Sequence, residues 1–490
     1  MTGGDSVRTP AALDVLTGTA TLNPAWTRVS RVAVLAVADL LALWGSGALA
    51  YLLWARPMRG QSPDIYLALA PLFSLILAGY LAADLYPGFG LGPVESLRRT
   101  WLVTGFGFLV LAAVTFAVKL PHLYSRVTFA IALVLSLIAV PWARGLVLSR
   151  ASRWRWWREP VVVIGTRPLV ARAIRLLRDV RRPDYSAVAV LDPGWPDAPS
   201  SGHPVEGVPL VGGLDAADQL ARRGVQVAIL AGDELPAETT LDRLQQHFYR
   251  VVTLRAFEHL PVEGAQIRNL GGALTIEYTS NLLRPHNRAA KRALDVAVSA
   301  LGLVVCGPII VLSALAVRVA SAGRPIFEQE RSGLGGRTFS VLKIRTMHLD
   351  AERRLEEHLS QHPELREEWR SRFKLKDDPR LIPGIGRFLR RFSIDELPQL
   401  WNVLRGEMSL VGPRPFPDYH LRAFAPEFLR LRQRMRPGIT GLWQVRVRSA
   451  GTIEEQQFFD TYYLRNWSVW LDLYILGRTV RAVLRGEGAY

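Results

Sequence analysis

The sequence contains almost no cysteine: Cys306 is the only one among its 490 residues. A single cysteine excludes a disulfide bond, or a metal site made of several thiolates, within one chain. Cys306 lies in an apolar run, where a cysteine is typically a small buried hydrophobic side chain. Neither structural disulfides nor thiolate-bound metals are therefore expected in the structure.

The sequence also lacks zinc-finger and RNA-binding motifs, although its formal net charge is +17 at pH 7. Such a charge suits three kinds of partner: nucleic acid, an anionic membrane surface or a phosphorylated substrate. Long apolar runs crowd the first 150 residues, whereas acidic and basic residues crowd the region after residue 340. A membrane and a phosphorylated substrate are therefore favoured, and no nucleic-acid partner is expected.

The start of the chain lacks the basic stretch, short apolar core and small-residue cleavage site of a signal peptide. Residues 1–28 are predicted to form a flexible tail. Four apolar segments follow, each close to the roughly 20 residues that a helix needs to cross a bilayer. Basic residues are biased to one side of them, which places both ends of the bundle in the cytoplasm. A four-helix transmembrane bundle is predicted for 29–150, with a soluble bundle as the alternative; the segments are 32–54, 65–85, 101–118 and 127–148.

From residue 160, short apolar runs alternate with helical stretches, which is typical of a parallel α/β sheet. A Rossmann-like domain is predicted for residues 155–285. The turn after its first strand, Gly165-Thr166-Arg167-Pro168, supplies only the first glycine of the dinucleotide-binding motif Gly-x-Gly-x-x-Gly. A structural or regulatory role is therefore favoured over cofactor binding. The predicted strands are 160–165, 187–191, 225–230, 251–254 and 273–278, and the helices 168–181, 214–223 and 237–248.

A further apolar stretch, within residues 291–320, is long enough to cross the membrane as a fifth span. Basic residues flank both of its ends, and Pro308 at its centre removes a backbone hydrogen bond and kinks a helix. Both features favour a re-entrant helix, which returns to the face from which it entered. Asp295 lies one turn after Lys291 and Arg292, and pairing with them is expected to keep its charge tolerable at the interface.

A glycine-rich turn at 333–336 is followed by a stretch with alternating polar and apolar residues, 339–347, and together they predict a β-hairpin. The alternation places Lys343 and Arg345 together on one face of the strand. These two residues are either solvated charges or a basic site. Residues 348–377 are dense in Glu, Arg and Lys and are most simply an exposed helix.

The acidic residues Asp395 and Glu396 follow a basic amphipathic stretch, 385–392, that suits an anionic membrane surface. Ser393 and Glu396 match a capping box, so helix capping is one interpretation. Pro398 instead favours a helix that begins nearer residue 398, which leaves the acid pair just before an amino end, where carboxylates and phosphates are favoured. Beside arginines, an ionised acid there is also what phosphoryl transfer needs, as a nucleophile or as a ligand of a divalent metal.

Seven features between residues 290 and 490 resemble, in order, those of the bacterial polyprenyl-phosphate hexose-1-phosphate transferases, or large monotopic phosphoglycosyl transferases. The family includes undecaprenyl-phosphate galactose and glucose phosphotransferases. The resemblance implies a multidomain membrane protein with a four-helix transmembrane bundle, a Rossmann-like α/β middle domain, and an α+β monotopic catalytic domain, 286–490, with a re-entrant helix. The features are Lys291-Arg292-x-x-Asp295, Pro308, Lys343-x-Arg345-Thr346-Met347, Asp378-Pro379-Arg380, Asp395-Glu396-Leu397-Pro398-Gln399, Leu410-Val411-Gly412-Pro413-Arg414-Pro415 and Pro437-Gly438-Ile439-Thr440-Gly441.

The resemblance implies transfer of hexose-1-phosphate from a UDP-hexose to undecaprenyl phosphate, with release of UMP, as the first membrane step of exopolysaccharide, capsule or O-antigen synthesis. It makes Asp395 the nucleophile that forms a covalent phospho-sugar ester, with Glu396 assisting and both acids holding Mg²⁺. It places the catalytic domain on the cytoplasmic face of the bacterial inner membrane, and a homodimer is expected. The implied phosphate-binding residues are Lys343, Arg345, Arg380, Arg390 and Arg414, and those of the membrane helix are Lys291, Arg292, Asp295 and Pro308.

One departure from the family pattern is the run Arg446-Val447-Arg448-Ser449, where the family usually has Ser-Gly-Arg. The missing glycine puts the local loop, and with it the sugar selectivity, in question. A second hypothesis for the whole chain is a nucleotide-sensing membrane regulator, in which residues 155–285 act and the C-terminal part only anchors.

An aromatic stripe lies near the C-terminus, at Trp467, Trp470, Leu471 and Tyr474. Core packing and binding to the membrane surface both explain such a stripe. A helix that lies in the plane of the membrane is the favoured interpretation.

Overall fold

The computed structural model describes most of the chain, which divides into two compact units, Met1–Glu258 and His259–Tyr490. The predicted N-terminal tail lies largely outside the described residues, as does most of 363–377. The described residues are 24–67, 70–117, 125–151, 153–179, 185–193, 202–232, 238–254, 265–270, 273–278, 281–362, 365–366, 378–416, 421, 424–446 and 453–484.

The first unit begins with a group of apolar helices. Helix α1, Pro24–Ala50, continues through a π-helical turn, Tyr51–Ala55, into the short helix Arg56–Arg59. Buried side chains from α1 and from the three longer helices that follow it form one core, which also includes Trp157 beyond the last helix of the group. The helices that follow are α2, Ala70–Ala82, α3, Pro93–Ala117, and α4, Arg126–Ala151.

The membrane character of the chain follows from four described helices that are long and apolar enough to cross a bilayer: Trp26–Arg59, Pro93–Ala117, Arg126–Ala151 and Pro285–Ala320. The predicted span 65–85 is not among them. The structure has a short helix there, Pro63–Leu67, and then α2, whose 13 residues extend about 20 Å against a hydrocarbon core of about 30 Å. Residues 68 and 69 lie outside the described residues. The chain is a multidomain membrane protein, and the second span, 65–85, stays a prediction because two of its residues lie outside those described.

A buried ion pair holds the first and last helices of this group together. The Arg144 guanidinium on α4 donates to both carboxylate oxygens of Asp39 on α1, at 2.8 and 2.5 Å. The Tyr86 hydroxyl also donates to Asp39, at 2.5 Å, and the Arg144 guanidinium lies 4.9 Å from the centre of the Tyr80 ring. Charges within apolar helices are expensive unless they are paired in this way, so Asp39 and Arg144 depend on each other.

The rest of the first unit is a six-stranded sheet in the order β3-β4-β2-β1-β5-β6. All neighbouring strands are parallel except β3 and β4. The central strand β1 carries four consecutive apolar residues, 161–164, that are fully buried because a strand covered on both faces needs no polar side. The elements are β1, Glu159–Ile164; α5, Arg167–Asp179; β2, Tyr185–Leu191; β3, Gly202–Val205; β4, Val208–Gly212; α6, Ala217–Arg222; β5, Val227–Ala231; α7, Glu238–Gln245; and β6, Arg250–Leu254.

The predicted strands and helices between 160 and 254 are present, with ends shifted by a few residues. The predicted strand 273–278 is present but lies outside this sheet, because it pairs antiparallel with Ala265–Leu270 in the second unit. Strands β3 and β4 were not predicted, because they are short and each contains a proline within a turn-rich stretch. Gly165 after β1 has φ +151°, and a Cβ atom there would lie 2.3 Å from the carbonyl oxygen of Ala231. This glycine is therefore needed for close packing of the turn against β5.

The second unit is built around helix α8, Pro285–Ala320, which has 36 residues and continues through Pro308. The predicted bend at Pro308 is thus not a break in the helix. One face is buried at Lys291, Asp295, Ser299 and Val317, whereas apolar side chains on the rest are exposed, Val319 by 89%. The helix is therefore amphipathic in an unusual sense, since its polar side faces protein and its apolar side faces outward.

Short elements surround α8. Strands β9, Ile326–Ser332, and β10, Thr338–Ile344, form the predicted antiparallel hairpin. Val317 near the end of α8 packs with Ile344, Ile382 and Leu389, which ties the helix to the hairpin. The other elements are β7, Ala265–Leu270; β8, Ala273–Tyr278; α9, Ala351–Gln361; α10, Ile385–Arg391; α11, Gln399–Arg405; β11, Ser409–Val411; α12, Pro426–Arg432; β12, Gly438–Thr440; α13, Leu442–Arg446; α14, Ile453–Arg465; and α15, Val469–Leu484.

Contrary to the prediction, the C-terminal aromatic stripe does not lie on the membrane surface at Trp467 and Leu471. Trp467 and Leu471 are 1% and 2% exposed, so they belong to the core and do not lie on a membrane surface. The indole of Trp467 donates to Asp472 at 3.2 Å, which gives this buried N–H the partner it needs. Core packing, the alternative interpretation, accounts for these two residues.

The Asp39–Arg144 pair predicts a large effect on stability. Replacing Asp39 by Ala leaves the Arg144 guanidinium buried without its counter-charge, so the free energy of unfolding should fall by about 3–5 kcal/mol. Chemical unfolding of the detergent-solubilised protein, followed by tryptophan fluorescence, measures this change. The control is Glu95→Gln, which removes a partly exposed pair with Arg99 and should cost about 0–1 kcal/mol. Equal small losses from both variants would contradict the role of the buried pair.

Candidate active site

The acid pair lies on a single 3₁₀ turn, Ile394–Glu396, between α10 and α11. Ser393 before it adopts left-handed backbone angles, with φ +53°, and so turns the chain sharply out of α10. Helix α11 begins at Gln399, directly after Pro398, which confirms the predicted helix start near residue 398. The turn holds Asp395 and Glu396 just before the amino end of α11.

Glu396 is bound by two cations from distant parts of the chain. Lys343 on β10 donates to its Oε1 at 2.8 Å, and Arg414 donates to the same oxygen at 3.2 Å. Burial raises the pKa of Glu396, but the charges of Lys343 and Arg414 and their hydrogen bonds outweigh burial and lower it. Glu396 is therefore a fixed anion, and its carboxylate is engaged in ion pairs instead of a capping box.

Asp395 has the opposite electrostatic character. Its side chain is buried, and burial together with the neighbouring charge of Glu396 raises its pKa to about 6. Lys343, Arg390 and Arg414 act in the other direction and limit the rise. Two adjacent acids with pKa values pushed apart are typical of groups with different chemical roles. Asp395 is ionised at neutral pH and has the more basic carboxylate, as a nucleophile requires.

Arg390 and Arg380 occupy the surroundings of this pair. The Nε of Arg390, on α10, donates to the Thr346 hydroxyl at 3.0 Å. Burial lowers the pKa of Arg390, whereas the charge of Asp395 acts to raise it, so the two groups sense each other. Arg380 forms a two-pronged ion pair with Asp378, at 2.7 and 2.6 Å. Arg390 is therefore close enough to Asp395 to affect its charge, whereas the Arg380 guanidinium is paired with Asp378.

Lys343 and Arg345 were predicted to share one face, but the structure sends them to different places. Strand β10 ends at Ile344, so the alternation does not continue to Arg345. The Arg345 guanidinium donates to the hydroxyl and the carbonyl oxygen of Ser321, at 3.2 and 2.9 Å. Arg345 thus fastens the end of α8, and Lys343 alone of the two contacts Glu396.

The turn that carries Arg414 is packed without space for side chains on its backbone. A Cβ atom on Gly412 would lie 2.5 Å from the carbonyl oxygen of Arg436, and one on Gly438 would lie 2.1 Å from the nitrogen of Gly412. The two glycines allow strands β11 and β12 to pair in parallel, with Ser409 opposite Gly438. The close packing of the backbone therefore fixes the position of the Arg414 main chain, from which its side chain extends.

Two basic residues near the start of α8 contact the residues next to the Arg414 turn and the end of α11. Lys291 donates to the carbonyl oxygen of Val411 at 3.0 Å and to Asp472 at 2.7 Å. Arg292 donates to the carbonyl oxygens of residues 403 and 404, at 2.6 and 2.8 Å, and thereby caps the end of α11. These contacts connect α8 to α11, which follows the acid pair, and to β11, which leads into the Arg414 turn.

The predicted pairing of Asp295 with Lys291 and Arg292 is wrong. Asp295 accepts hydrogen bonds from the Ser409 hydroxyl at 2.8 Å and from the Leu410 backbone nitrogen at 3.0 Å. The two basic residues point to carbonyl oxygens and to Asp472 instead. Local spacing along a helix could not reveal these partners, because they lie more than 100 residues away in the chain.

Several contributors to the site were not found from the sequence. The Tyr463 hydroxyl shares its single proton between the carbonyl oxygen of Val411, at 3.1 Å, and a carboxylate oxygen of Asp472, at 2.7 Å. Arg432 donates to the carbonyl oxygen of Arg414. Neither residue stands in a motif with an evident chemical role, so pattern alone offered no signal for them. A buried acid among aromatic residues, Asp472, was the one available sign of a polar network in this region.

The acid pair also bears on metal binding. Among the described residues, no group of three or more His, Cys, Asp or Glu side chains is placed to hold a metal ion. Mg²⁺, however, keeps several waters and usually takes one or two carboxylates together with substrate phosphates. Because the Oε1 of Glu396 already accepts from two cations, Asp395 is the better-placed protein ligand. The donor set fits a Mg²⁺ shared between this carboxylate and a diphosphate.

Comparison with known proteins identifies a family match that includes the acid pair and the Arg414 turn. A family model described as bacterial sugar transferase matches residues 286–486. A second model, described as a CoA-binding domain, matches residues 91–250, from just before α3 to the first residue of β6. The first match covers α8, the acid pair and the Arg414 turn together.

Three relatives give the comparison its detail. The chain is 32% identical over 374 residues to the undecaprenyl-phosphate galactose phosphotransferase of Salmonella typhimurium, covering 75% of this chain and 77% of the relative. It is 33% identical over 375 residues to the UDP-galactose-lipid carrier transferase of Erwinia amylovora, covering 75% and 76%. It is 40% identical over 225 residues to the exopolysaccharide production protein ExoY of Sinorhizobium fredii, covering 46% and 98%.

The first two of these relatives share more than 30% identity with this chain over about three quarters of both proteins. Both are named as transferases, which favours the enzyme hypothesis over the membrane regulator. The chain therefore belongs to the family of bacterial polyprenyl-phosphate hexose-1-phosphate transferases, and it is an enzyme of that class.

Proposed function

We propose that the protein transfers hexose-1-phosphate from a UDP-hexose to undecaprenyl phosphate, giving undecaprenyl-diphosphate hexose and UMP. The observation that carries the proposal is a buried carboxylate, Asp395, beside an anion, Glu396, that is fixed by Lys343 and Arg414. The relative from Salmonella typhimurium, which is named for galactose transfer to undecaprenyl phosphate, supports the substrate class.

In the first half of the reaction, a carboxylate oxygen of Asp395 attacks the phosphorus that bears the sugar. A bond forms between that oxygen and the phosphorus, and the bond to the bridging oxygen breaks, so UMP leaves with the electron pair. Lys343, Arg390 and Arg414 supply positive charge near Asp395, where the diphosphate has to bind. Preorganised cations of this kind stabilise charge that develops as phosphoryl transfer proceeds.

In the second half, a phosphate oxygen of undecaprenyl phosphate attacks the same phosphorus. The new diphosphate bond forms, the ester bond to Asp395 breaks, and the carboxylate is regenerated. The raised pKa of Asp395 suits both halves, because the carboxylate is basic enough to attack and still leaves as a stable anion near neutral pH. A bound Mg²⁺, held by Asp395 and the diphosphate, would supply further neutralisation of phosphate charge.

The membrane placement that goes with this chemistry is a monotopic catalytic unit at the cytoplasmic face of the inner membrane, with α8 as its re-entrant helix. A straight helix of 36 residues measures about 54 Å. Yet Lys291 near its start contacts Val411, and Val317 near its end packs with Ile344 and Leu389 of the same unit. A helix that crosses the bilayer would carry only one end to a unit on one side. The exposed apolar face of α8 supports insertion from that side.

The cellular role that follows is the first membrane step of exopolysaccharide, capsule or O-antigen synthesis. The relative named as an exopolysaccharide production protein supports this assignment. The α/β sheet between residues 159 and 254 is Rossmann-like and serves a structural or regulatory purpose in a homodimer. The crossover of the sheet between β1 and its two parallel neighbours supports the Rossmann-like assignment.

The nucleophile is tested by replacing Asp395 with Asn. We expect release of UMP from UDP-galactose and UDP-glucose to fall by at least about a thousandfold, because an amide cannot form the ester. The matched control is Asp350→Asn, which removes a carboxylate paired with Arg353 at the surface and should leave the rate unchanged. UMP release is measured with the purified protein in detergent or nanodiscs. Full activity of Asp395→Asn would refute the assignment.

The pH dependence of the first half-reaction tests the raised pKa. Because Asp395 is neutral below its folded-state pKa, single-turnover UMP release should rise with pH and level off above about 6. In the variant Glu396→Gln, the loss of the neighbouring negative charge lowers the pKa of Asp395, so the rise should move to lower pH. A profile that is flat between pH 5 and 8, or that Glu396→Gln shifts upward, would contradict this electrostatic account.

The re-entrant helix is tested by topology reporters fused after residues 284 and 325, which bracket α8. Both fusions should report the cytoplasm, since the chain enters and leaves the membrane on one face. A fusion after residue 92, between α2 and α3, serves as an internal reference for a loop that the positive-inside rule places in the cytoplasm. An external signal after residue 325 alone would mean that α8 spans the bilayer.

A further inference from the structure

A buried ion pair lies behind the Arg414 turn, and the proposed chemistry does not use it directly. Arg432 at the end of α12 is 9% exposed, and its Nε lies 3.5 Å from Oδ2 of Asp460 on α14, which is 3% exposed. Removing two charges from water costs more than a simple attraction between them returns, unless the pair has further contacts. The further contacts of Arg432 show what the pair holds.

Arg432 donates a hydrogen bond to the backbone carbonyl oxygen of Arg414. It therefore contacts the same residue whose side chain donates to Glu396 at 3.2 Å. The connection from Asp460 to Glu396 consists of an ion pair, a backbone hydrogen bond and a second ion pair. Each link involves a guanidinium, whose planar set of donors transmits orientation better than a flexible ammonium group.

Three aromatic rings surround the Arg432 guanidinium. Its central carbon lies 4.7, 5.8 and 5.7 Å from the ring centres of Phe416, Phe424 and Phe428. Rings at these distances attract a cation and also exclude water from it. The guanidinium is therefore confined to a position in which one terminal nitrogen, Nη2, donates to the Arg414 carbonyl oxygen.

Helix α14 holds the other end of the turn as well. Tyr463, three residues after Asp460 and on the same face of α14, donates to the carbonyl oxygen of Val411 at 3.1 Å. One helix thus fixes both ends of the segment 411–414, directly through Tyr463 and indirectly through the Asp460–Arg432 pair. Because the segment is held at both ends, its backbone fixes the point from which the Arg414 side chain reaches Glu396.

We infer that Arg432, held by Asp460, is a positioning residue that fixes Arg414 for the donor diphosphate. This inference rests on the proposed function, in which Arg414 neutralises phosphate charge. Arg432 does not touch the reacting atoms and acts only through Arg414. Its removal should therefore weaken the use of the sugar nucleotide only while the Arg414 side chain is present.

A double-mutant cycle separates this role from ordinary core stability. The variants are Arg432→Gln, Arg414→Gln and the two together, and the readout is kcat/KM for UDP-galactose and UDP-glucose, with Tm recorded for each. We expect Arg432→Gln to lower kcat/KM by about ten- to a hundredfold in the native background, as loss of positioning does. In the Arg414→Gln background the same change should lower it less than about twofold, because coupled residues are not additive.

Two further variants keep the test decisive. Arg430→Gln is the matched control, since Arg430 lies on α12 two residues earlier, is exposed and pairs only at the surface with Glu427; it should leave kcat/KM unchanged. Asp460→Asn preserves the shape of its side chain and replaces Arg432→Gln in the cycle if the latter does not fold. It should give a smaller loss that also disappears in the Arg414→Gln background.

Equal losses in both backgrounds, or a fall in Tm with no change in kcat/KM, would overturn the inference and leave the proposed function standing. No UMP release by the native protein from either sugar nucleotide would overturn the proposed function, and with it this inference. The two failures are therefore distinguishable from the activity of the native protein alone.

Discussion

The ion cluster of Glu396 with Lys343 and Arg414 is the interaction on which the rest of the catalytic unit depends. Two adjacent carboxylates cannot both be ionised in a buried place unless cations offset one of them. Because Glu396 takes both cations, Asp395 is left as the more basic and reactive acid. The long connections from β10 and from the Arg414 turn are therefore needed to make one acid differ from its neighbour.

The same cluster explains why a membrane helix is part of the active unit. Helix α8 caps α11 through Arg292 and holds β11 through Lys291 and Asp295, so it sets the spacing between the acid pair and the Arg414 turn. A helix with an exposed apolar face is thereby in direct contact with elements next to the acid pair. In the proposed reaction, a soluble sugar nucleotide and a lipid phosphate meet where protein and membrane adjoin.

Local chemistry could be predicted from the sequence, whereas long-range pairing could not. Pro398 correctly indicated where α11 begins, and the alternating runs after residue 160 correctly indicated a parallel sheet, because both depend on neighbours in the chain. The partners of Asp295 and Arg345 and the Arg432–Asp460 pair were missed or misassigned, since each depends on residues that only the fold brings together. Trp467 shows the same limit. Its spacing suited a membrane surface, but the residue is buried in the core and its indole donates to Asp472.

The Asp39–Arg144 pair has a consequence for how the protein is made. Asp39 lies on the first helix and Arg144 on the fourth, 105 residues later in the chain. Until residue 144 leaves the ribosome, the first helix presents a carboxyl group to the membrane without its counter-charge, which is costly in hydrocarbon. The first helix therefore reaches its full stability in the bilayer only after the fourth helix has been made and the pair has formed.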